Sequence, residues 1–438
     1  MKYLKTLTVP FLIVFIMLVS CNNTENETKK MKPRKVELAQ IDGRYSLLVD
    51  GTEFFVKGAG LDDGNIAALA AHGANSFRTW MDSDVHLPAD VILEQAQENG
   101  LMVMMGLPIG RERHGFDYSN EENVKQQFEE IKEKVLAMKD HPALLGWGIG
   151  NELNLRSTNM KVWDAVEEIA TYIHEVDGMH PTTTMLAGIG PNEVQYIREN
   201  CPNLDFLSIQ MYGDIVNLAD RIENSGYTGP YLITEWGATG HWEVPTTSWG
   251  VPIENSSTEK ARDFKHRYET AIISNKTHCL GSYVFLWGQK QERTPTWYGL
   301  FTEENMETEA IDVMHYFWND KWPENQSPRV VEATLDNKTR YDNIYLKPGK
   351  KYTTKYQFTD PDNDPLTIRI EIMHESTDLQ DGGDLENRPD TLKTEILLSD
   401  LNTTEFISPM NPGAYRLFLY AHDDHNHVAT INLPFLIE

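Results

Sequence analysis

Short apolar runs alternate with longer segments of helical period from about residue 54 onward, a pattern typical of βα units and a parallel sheet. Eight apolar runs predict strands: Phe54–Gly58, Asn75–Trp80, Leu101–Leu107, Leu144–Gly150, Thr183–Gly188, Phe206–Tyr212, Tyr231–Trp236 and Gly281–Trp287. Between them, apolar residues three or four positions apart predict helices that include Ala89–Asn99, Glu122–Met138, Val162–Val176 and Glu259–Ile273. Eight such repeats favour an α/β fold of the (β/α)8 TIM-barrel type.

An open, doubly wound sheet is the alternative fold. Its dinucleotide-binding fingerprint places three glycines after the first strand, and Gly58-Ala59-Gly60 lacks the third. The pattern therefore favours the barrel.

The last hundred residues follow a different pattern. Pro323 and Pro328 bracket a polar segment, and helical periodicity is absent after it. Short alternating runs separated by turn residues then predict strands over Lys355–Phe358, Leu366–Met373, Tyr415–Ala421 and Ala429–Leu436. We expect a barrel over residues 36–324 and a C-terminal all-β immunoglobulin-like sandwich over residues 325–438. All ten tryptophans precede Pro323, which favours a supporting role for the sandwich rather than a binding role of its own.

The first twenty residues predict a lipoprotein signal peptide. Lys2 and Lys5 precede the apolar run Phe11–Val19, which is shorter than the ~20 residues that a membrane-spanning helix needs. The run ends at Leu18-Val19-Ser20-Cys21, which resembles the lipobox of bacterial lipoproteins; a plain signal peptide with an incidental cysteine is the alternative. Cleavage there leaves Cys21 as the lipidated residue and residues 21–35 as a flexible tether. We expect a chain that is lipid-anchored to the bacterial outer membrane and faces the periplasm or the cell surface.

Composition and charge narrow the possible partners. Apolar residues make up 40% of the chain, enough for packed cores, and 39 Lys and Arg against 66 Asp and Glu give a net charge of −27. This charge repels nucleic acid and anionic lipid headgroups. We expect a monomer that contacts the membrane only through its lipid anchor.

Metal and disulfide signals are weak. The chain has no CxxC and no HExxH motif, so zinc chemistry has no recognisable set of ligands. Cys201 and Cys279 could form one bridge, which sequence alone does not decide. The segment Asp360-Pro361-Asp362-Asn363-Asp364-Pro365 resembles calcium-binding turns, and an ion-free turn is the alternative that we favour.

Two glutamates follow apolar runs at the positions where barrels carry their chemistry. Asn151-Glu152 follows the fourth run and Glu235 lies near the end of the seventh. Taken singly, each could be a helix-capping residue. Strands four and seven lie across an eight-stranded ring from each other, so together the two carboxyl groups could flank one bond at the C-terminal mouth.

These motifs resemble the retaining glycoside hydrolases of the large (β/α)8 clan, over roughly residues 36–322. Within the clan the resemblance is to family 2-type barrels and, more narrowly, to the family 158 endo-β-1,3-glucanases of Bacteroidetes. The resemblance implies Glu152 as the acid/base and Glu235 as the nucleophile. It further implies substrate-site roles for Asn151 on the sugar 2-hydroxyl, Arg78 and Tyr212 beside the nucleophile, and Trp287 as the floor. Gln210 departs from the pattern, because many clan members carry His there, and its role is left open.

Aromatic residues near strand ends are candidates for stacking on sugar rings. They are Trp80, Trp236, Trp242, Trp249, Trp287 and Trp297, with His241 and His114 as candidates for the rim. The loops from Ala238 to Ser257 and from Pro108 to Asn120 are long enough to wall the site. Sequence leaves open whether they form a groove or a pocket.

The resulting prediction is a retaining glycosidase that cleaves β-linked glucan by double displacement, without a cofactor. Retention needs a carboxylate nucleophile and a protonated carboxyl group ~5–5.5 Å apart. The resemblance favours an endo-β-1,3-glucanase acting on a polysaccharide or oligosaccharide. The alternatives are an exo-β-glycosidase or transglycosylase with the same glutamates, and a non-catalytic glycan-binding lipoprotein.

Overall fold

The computed structural model describes residues 32–62, 64–81 and 87–438. The predicted signal peptide, Cys21 and most of the predicted tether lie outside these residues. Within the described part of the chain, no helix is long and apolar enough to cross a membrane.

A three-stranded antiparallel sheet precedes the barrel. Its strands are β1 (Val36–Ile41), β2 (Arg44–Val49) and β3 (Thr52–Phe54). Val36, Leu47 and Val49 share a buried cluster with barrel residues that include Met102 and Leu145. The sheet therefore packs on one end of the barrel. These residues fall in the range predicted for the barrel, and the sequence pattern predicts no separate sheet for them.

The central domain is a closed barrel of eight parallel strands, which confirms the predicted fold class. In chain order the barrel strands are β4 (Val56–Gly60), β5 (Ser76–Arg78), β6 (Met102–Leu107), β7 (Leu144–Asn151), β8 (Thr182–Ala187), β9 (Phe206–Gln210), β10 (Tyr231–Trp236) and β11 (Cys279–Val284). Each pairs with the next, and β11 pairs with β4 to close the ring. The predicted fourth and seventh strands are thus β7 and β10.

Helices cover the outside of the barrel. They are α1 (Ile66–Ala71), α2 (Ala89–Glu98), α3 (Glu121–Met138), α4 (Lys161–Val176), α5 (Pro191–Asn200), α6 (Leu218–Ser225), α7 (Ser257–Arg267) and α8 (Glu309–Asn319). In α4, residues three or four apart such as Val162, Val166, Ile169 and Ile173 are buried against the strands. This arrangement leaves the C-terminal ends of the strands free to carry a site.

The C-terminal part forms two further sheets, as the alternating pattern predicts. One has the order β13-β15-β18-β17, and the other has the order β12-β20-β19-β16 with β14 added on β20. The strands are β12 (Glu307–Thr308), β13 (Arg329–Leu335), β14 (Ile344–Leu346), β15 (Lys351–Thr359), β16 (Thr367–His374), β17 (Ile396–Ser399), β18 (Thr403–Ile407), β19 (Gly413–His422) and β20 (His427–Ile437). Strand β12 precedes the last barrel helix in sequence yet pairs with β20, so the two domains share one sheet.

Cys201 and Cys279 are both buried and free. The bridge that sequence left open is therefore not formed.

Candidate active site

Four barrel strands bring the predicted polar residues together at the C-terminal mouth. Arg78, Asn151 and Gln210 are the last residues of β5, β7 and β9, and Glu235 is the penultimate residue of β10. Glu152 follows β7 directly. The parallel arrangement places all these strand ends at one end of the barrel, where hydrogen bonds link several of the side chains.

Glu235 faces three hydrogen-bond donors. The Tyr212 hydroxyl donates to Oε1 at 2.6 Å. On Oε2, the Trp80 indole N–H and the Arg78 guanidinium each donate at 3.4 Å. An ionised carboxylate only accepts hydrogen bonds, so this set of partners suits a charged Glu235 held in one orientation.

Glu152 has the opposite surroundings. Burial first, and the negative charge of Glu235 second, raise its pKa to about 8, while the positive charges of Arg113, Arg111 and Arg78 oppose the shift. Its backbone has a φ of +52° and donates from N to the Met185 carbonyl at 2.9 Å. Glu152 is therefore a carboxyl group that keeps its proton near neutral pH.

Asn151 is fixed by two donors. Its Oδ1 accepts from Arg78 Nη2 at 2.8 Å and from Gln210 Nε2 at 2.7 Å. Both bonds end on the oxygen, so the amide Nδ2 must point away from these partners and can donate to a ligand. Gln210, whose role the sequence left open, thus orients Asn151.

The structure places two of the predicted tryptophans at the mouth. The Trp80 ring stacks over Arg78, with the guanidinium carbon 4.3 Å from the ring centroid. Trp242 is 59% exposed, and its ring meets Tyr212 edge-on at 5.6 Å. These two indoles can reach a bound sugar.

Three other tryptophans correct our expectation, because each is at most 1% exposed. Trp236 alternates with Glu235 along β10 and so points outward, onto Phe264 and Tyr268. Trp287 lies beyond the end of β11, where its indole donates to the Asn65 carbonyl and its ring meets those of neighbouring aromatic residues. The Trp297 indole donates to the Thr239 carbonyl. None of the three offers a face to a sugar.

Phe285 takes the place that we expected of Trp287. Its ring lies 5.7 Å from Trp80 and 5.9 Å from both Tyr212 and Tyr298. The residue belongs to the predicted eighth run, so the strand was recognised. The role expected of Trp287 rested on the family resemblance, whereas the ring beside Trp80 and Tyr212 belongs to Phe285, two residues earlier.

The walls come from the expected loops and from a few histidines. His241 packs against Trp242 and Trp297, with Nε2 3.6 Å from Glu292. A cavity of about 420 Å³ opens beside Asn151 and Trp80 and is bounded by the loop from Pro108 to Phe116. This volume lies in the usual ~300–1,000 Å³ range of small-molecule sites. His114 lies on the same cavity wall.

Trp249 lies away from this site, because its ring packs against Tyr345 of the sandwich at 5.6 Å. The loop from Ala238 to Ser257 therefore has two parts. One part, with His241 and Trp242, lies at the mouth, and the other joins the domains.

One acidic group among the described residues could hold a metal ion, and it lies in the sandwich. Carboxylate oxygens of Asp360, Asp364 and Asp423 lie within 4.8 Å of one another. Asp360 Oδ1 accepts from the backbone N of Asp362 and Asp364 at 2.8 and 3.0 Å. These two hydrogen bonds close the turn.

Residues 62–244 match the family described as Glycosyl hydrolases family 2, TIM barrel domain. This segment contains both Glu152 and Glu235. No curated protein matches the chain.

Two solved structures share the fold at low identity. An FMN-binding β-glucuronidase from Facaelibacterium prausnitzii L2-6 is 14% identical with a TM-score of 0.52, and the match covers 92% of this chain and 59% of that one. A β-D-glucuronidase from Dictyoglomus thermophilum is 17% identical with a TM-score of 0.50, over 66% of this chain and 54% of that one. The chain thus spans little more than half the length of these proteins, and at this identity the likeness concerns the fold.

Proposed function

We propose that the protein is a retaining glycoside hydrolase. The observation that carries the proposal is the pair of unlike glutamates in one mouth: Glu152, whose pKa is raised to about 8, and Glu235, which accepts hydrogen bonds from three donors. A protein that only bound glycans would have no use for opposed carboxyl groups held in this way. The match to the family 2 barrel domain supports the same reading.

The proposed reaction has two displacements. Glu235 attacks the anomeric carbon while Glu152 gives its proton to the departing glycosidic oxygen, so the bond to the leaving sugar breaks as the glycosyl ester forms. Glu152, now a carboxylate, then takes a proton from water, which attacks the anomeric carbon and releases Glu235. Tyr212 and Arg78 hold the nucleophile, and Asn151 Nδ2 donates to the hydroxyl beside the reacting carbon.

We propose a neutral β-linked glucan as the substrate, with the β-1,3-glucan suggested by the sequence resemblance as the first candidate. The similar structures named β-glucuronidases would favour an acidic sugar. Arg113 and Lys290 near the mouth, however, pair with Asp384 at 2.7 Å and with Glu292 at 3.2 Å. Cations that already carry counter-ions recognise a sugar carboxylate poorly, which supports the neutral sugar.

A substrate panel tests this proposal. Laminarin, mixed-linkage glucan, cellulose, mannan, galactan, aryl β-glucosides and aryl β-glucuronides are incubated with the protein, and the first product anomer is followed by proton NMR. We expect a β-glucan or aryl β-glucoside to yield the β-anomer first, and Glu235→Gln to be inactive as the matched control. The α-anomer appearing first would reject retention, and faster cleavage of the glucuronide would reject the neutral sugar.

We also propose that the chain is a lipoprotein anchored through Cys21, on the sequence pattern alone. Palmitate labelling in a bacterial host should mark the wild type and not Cys21→Ser. Equal labelling of the two proteins would reject the anchor.

A further inference from the structure

The connection between β16 and β17, residues 375–395, extends from the sandwich to the mouth of the barrel. We propose that this segment, the sandwich arm, is a wall of the active site that closes one side of the mouth and restricts the protein to the ends of β-linked saccharide chains. This inference rests on the proposed glycosidase function and specifies its substrate.

The base of the sandwich arm is fixed to the loop that follows β11. Glu386 is buried and accepts from the backbone N of Arg293 at 2.6 Å and from that of Gln380 at 3.0 Å. The Arg293 guanidinium also pairs with Glu386. Arg388 pairs with Glu303 at 3.0 Å. Buried, multiply bonded carboxylates of this kind hold a loop in one position.

The tip of the arm is fixed to the loops that follow β6 and β7. Asp384 Oδ2 lies 2.7 Å from Arg113 Nη1 and 2.9 Å from His114 Nε2. Arg113 also donates to the carbonyls of Asp381 and Gly382 at 3.1 and 3.2 Å. The Asp381 carboxylate pairs with Arg156 at 2.6 Å.

Two glycines allow the tip to lie this close to the barrel. Gly382 and Gly383 have φ values of +59° and +76°, in the region that favours glycine. A Cβ on Gly382 would lie 2.7 Å from the Leu155 side chain, three residues after Glu152. The sequence Asp381-Gly382-Gly383-Asp384 thus fits this contact.

The order of the strands in the barrel shows which sides of the mouth the arm joins. Strands β7 and β11 are four places apart in a ring of eight, so they lie on opposite sides of the mouth. The arm is fixed to the loop after β11 at its base and to the loops after β6 and β7 at its tip, where the Gly383 carbonyl also accepts from Lys290 of the β11 loop. The arm therefore extends from the β11 side of the mouth towards the β7 side.

The arm also contacts residues that lie close to Glu152 and to the cavity beside it. Arg113, which it holds, is one of the charges that act on Glu152. His114, its other partner, lines the cavity of about 420 Å³ that adjoins Asn151 and Trp80. In the proposed arrangement the arm blocks the passage of a long polysaccharide, whereas a chain end enters beside it. Chain-end attack is the exo alternative to the endo action predicted from the sequence resemblance.

Variants that detach the tip of the arm from the barrel test whether the arm acts as a wall of the active site. The double variant Asp381→Ala/Asp384→Ala removes the tip contacts, and Gly382→Val displaces the tip by a steric route. Asp390→Ala is the matched control, because Asp390 is exposed in the same connection and has no bond to the barrel. Rates are measured on aryl β-glucosides and on β-glucan oligosaccharides and polymer of the linkage found in the panel, with product lengths determined at early times.

We expect the wild type and Asp390→Ala to release one short product from the outset. Both tip variants should produce mixed lengths and raise the polymer-to-aryl rate ratio several-fold. An active wild type that releases mixed lengths, or tip variants with unchanged ratio and products, would overturn the wall while leaving the glycosidase intact. A folded wild type that cleaves no aryl glycoside or saccharide would reject the proposed function, and the wall with it.

Discussion

At the scale of single residues, Glu152 and Glu235 have the same side chain but different neighbours. Glu152 is half-buried near a second carboxylate and three arginines, whereas Glu235 accepts from a phenol, an indole and a guanidinium. Environment alone therefore distinguishes the proposed acid from the proposed nucleophile, as expected of paired carboxyl groups.

The raised pKa of Glu152 predicts the alkaline limit of activity. The group acts as an acid only when protonated, and that form is lost as pH rises through about 8. We expect kcat/KM for a substrate with a poor leaving group to fall with a midpoint near pH 8. In Glu152→Gln, tested with an activated aryl glycoside, the fall of kcat/KM near pH 8 should be absent. A midpoint near the ordinary glutamate value would show that another group is the acid.

Gln210 predicts a positioning effect. Gln210→Leu removes a donor from Asn151 Oδ1 and frees the amide to turn. Misplacing a group that contacts the reacting sugar can cost about 10²-fold in rate, so we expect kcat to fall by about that factor with a much smaller change in KM.

Gln210→His is the matched control, since it keeps a ring N–H donor and is the residue of many clan members. It should recover much of the rate at a similar melting temperature. Leucine and histidine variants with equal rates would contradict the positioning role.

At the scale of elements, the barrel strands were predictable because buried parallel strands are nearly continuous apolar runs. All eight were recognised, with ends that differ from the observed ones by a few residues. The polar residues at their ends, including Glu152, Glu235, Asn151 and Arg78, were therefore recognised as well.

Other parts of the fold have no such recognisable pattern in the sequence. The sheet β1–β3 is short and mixed in polarity, and its role is defined only by the barrel end that it covers. The sandwich arm is polar and irregular, and its contacts join residues more than 80 positions apart. Trp236 lies outside the site because side chains alternate along β10 and Glu235 takes the inward position.

The N-terminal cap of helix α7 can be tested by mutation. Ser256 Oγ accepts from Glu259 N while the Glu259 carboxylate accepts from Ser256 N, a complete capping box. Ser256→Ala should lower the free energy of unfolding by about 1 kcal/mol, measured by urea titration. Ser256→Thr, which keeps a hydroxyl cap, should lie close to the wild type. A larger loss in Ser256→Thr than in Ser256→Ala would contradict the cap.

At the scale of the whole molecule, the barrel and sandwich are joined through buried charge. Glu254 is 1% exposed and bonds to Lys260, Thr294 and Thr296 of the barrel and to Asn432 of the sandwich. Arg416 of the sandwich donates to the Pro252 carbonyl at 3.0 Å. Such an interface favours unfolding of both domains in one transition.

Removing one member of this network should be costly. Glu254→Ala leaves the buried Lys260 without its carboxylate partner, for which about 3–5 kcal/mol of lost stability is typical. The double variant Glu254→Leu/Lys260→Met should be less destabilised, because no charge remains unpaired. Urea titration followed by fluorescence measures the free energy of unfolding of both variants. The single variants Glu254→Leu and Lys260→Met complete the comparison. A double variant whose loss of stability equals the sum of their two losses would show that the pair is not coupled.

The central claim is the division of roles between the two glutamates, and azide trapping tests it most directly. With an activated aryl β-glucoside, Glu235→Ala should be inactive alone and give the α-glycosyl azide when azide is added, because azide occupies the place of the nucleophile. Glu152→Ala should still form the glycosyl ester and give the β-glycosyl azide. The same anomer from both variants, the reverse assignment, or a Glu235→Ala protein that is active without azide would contradict the account.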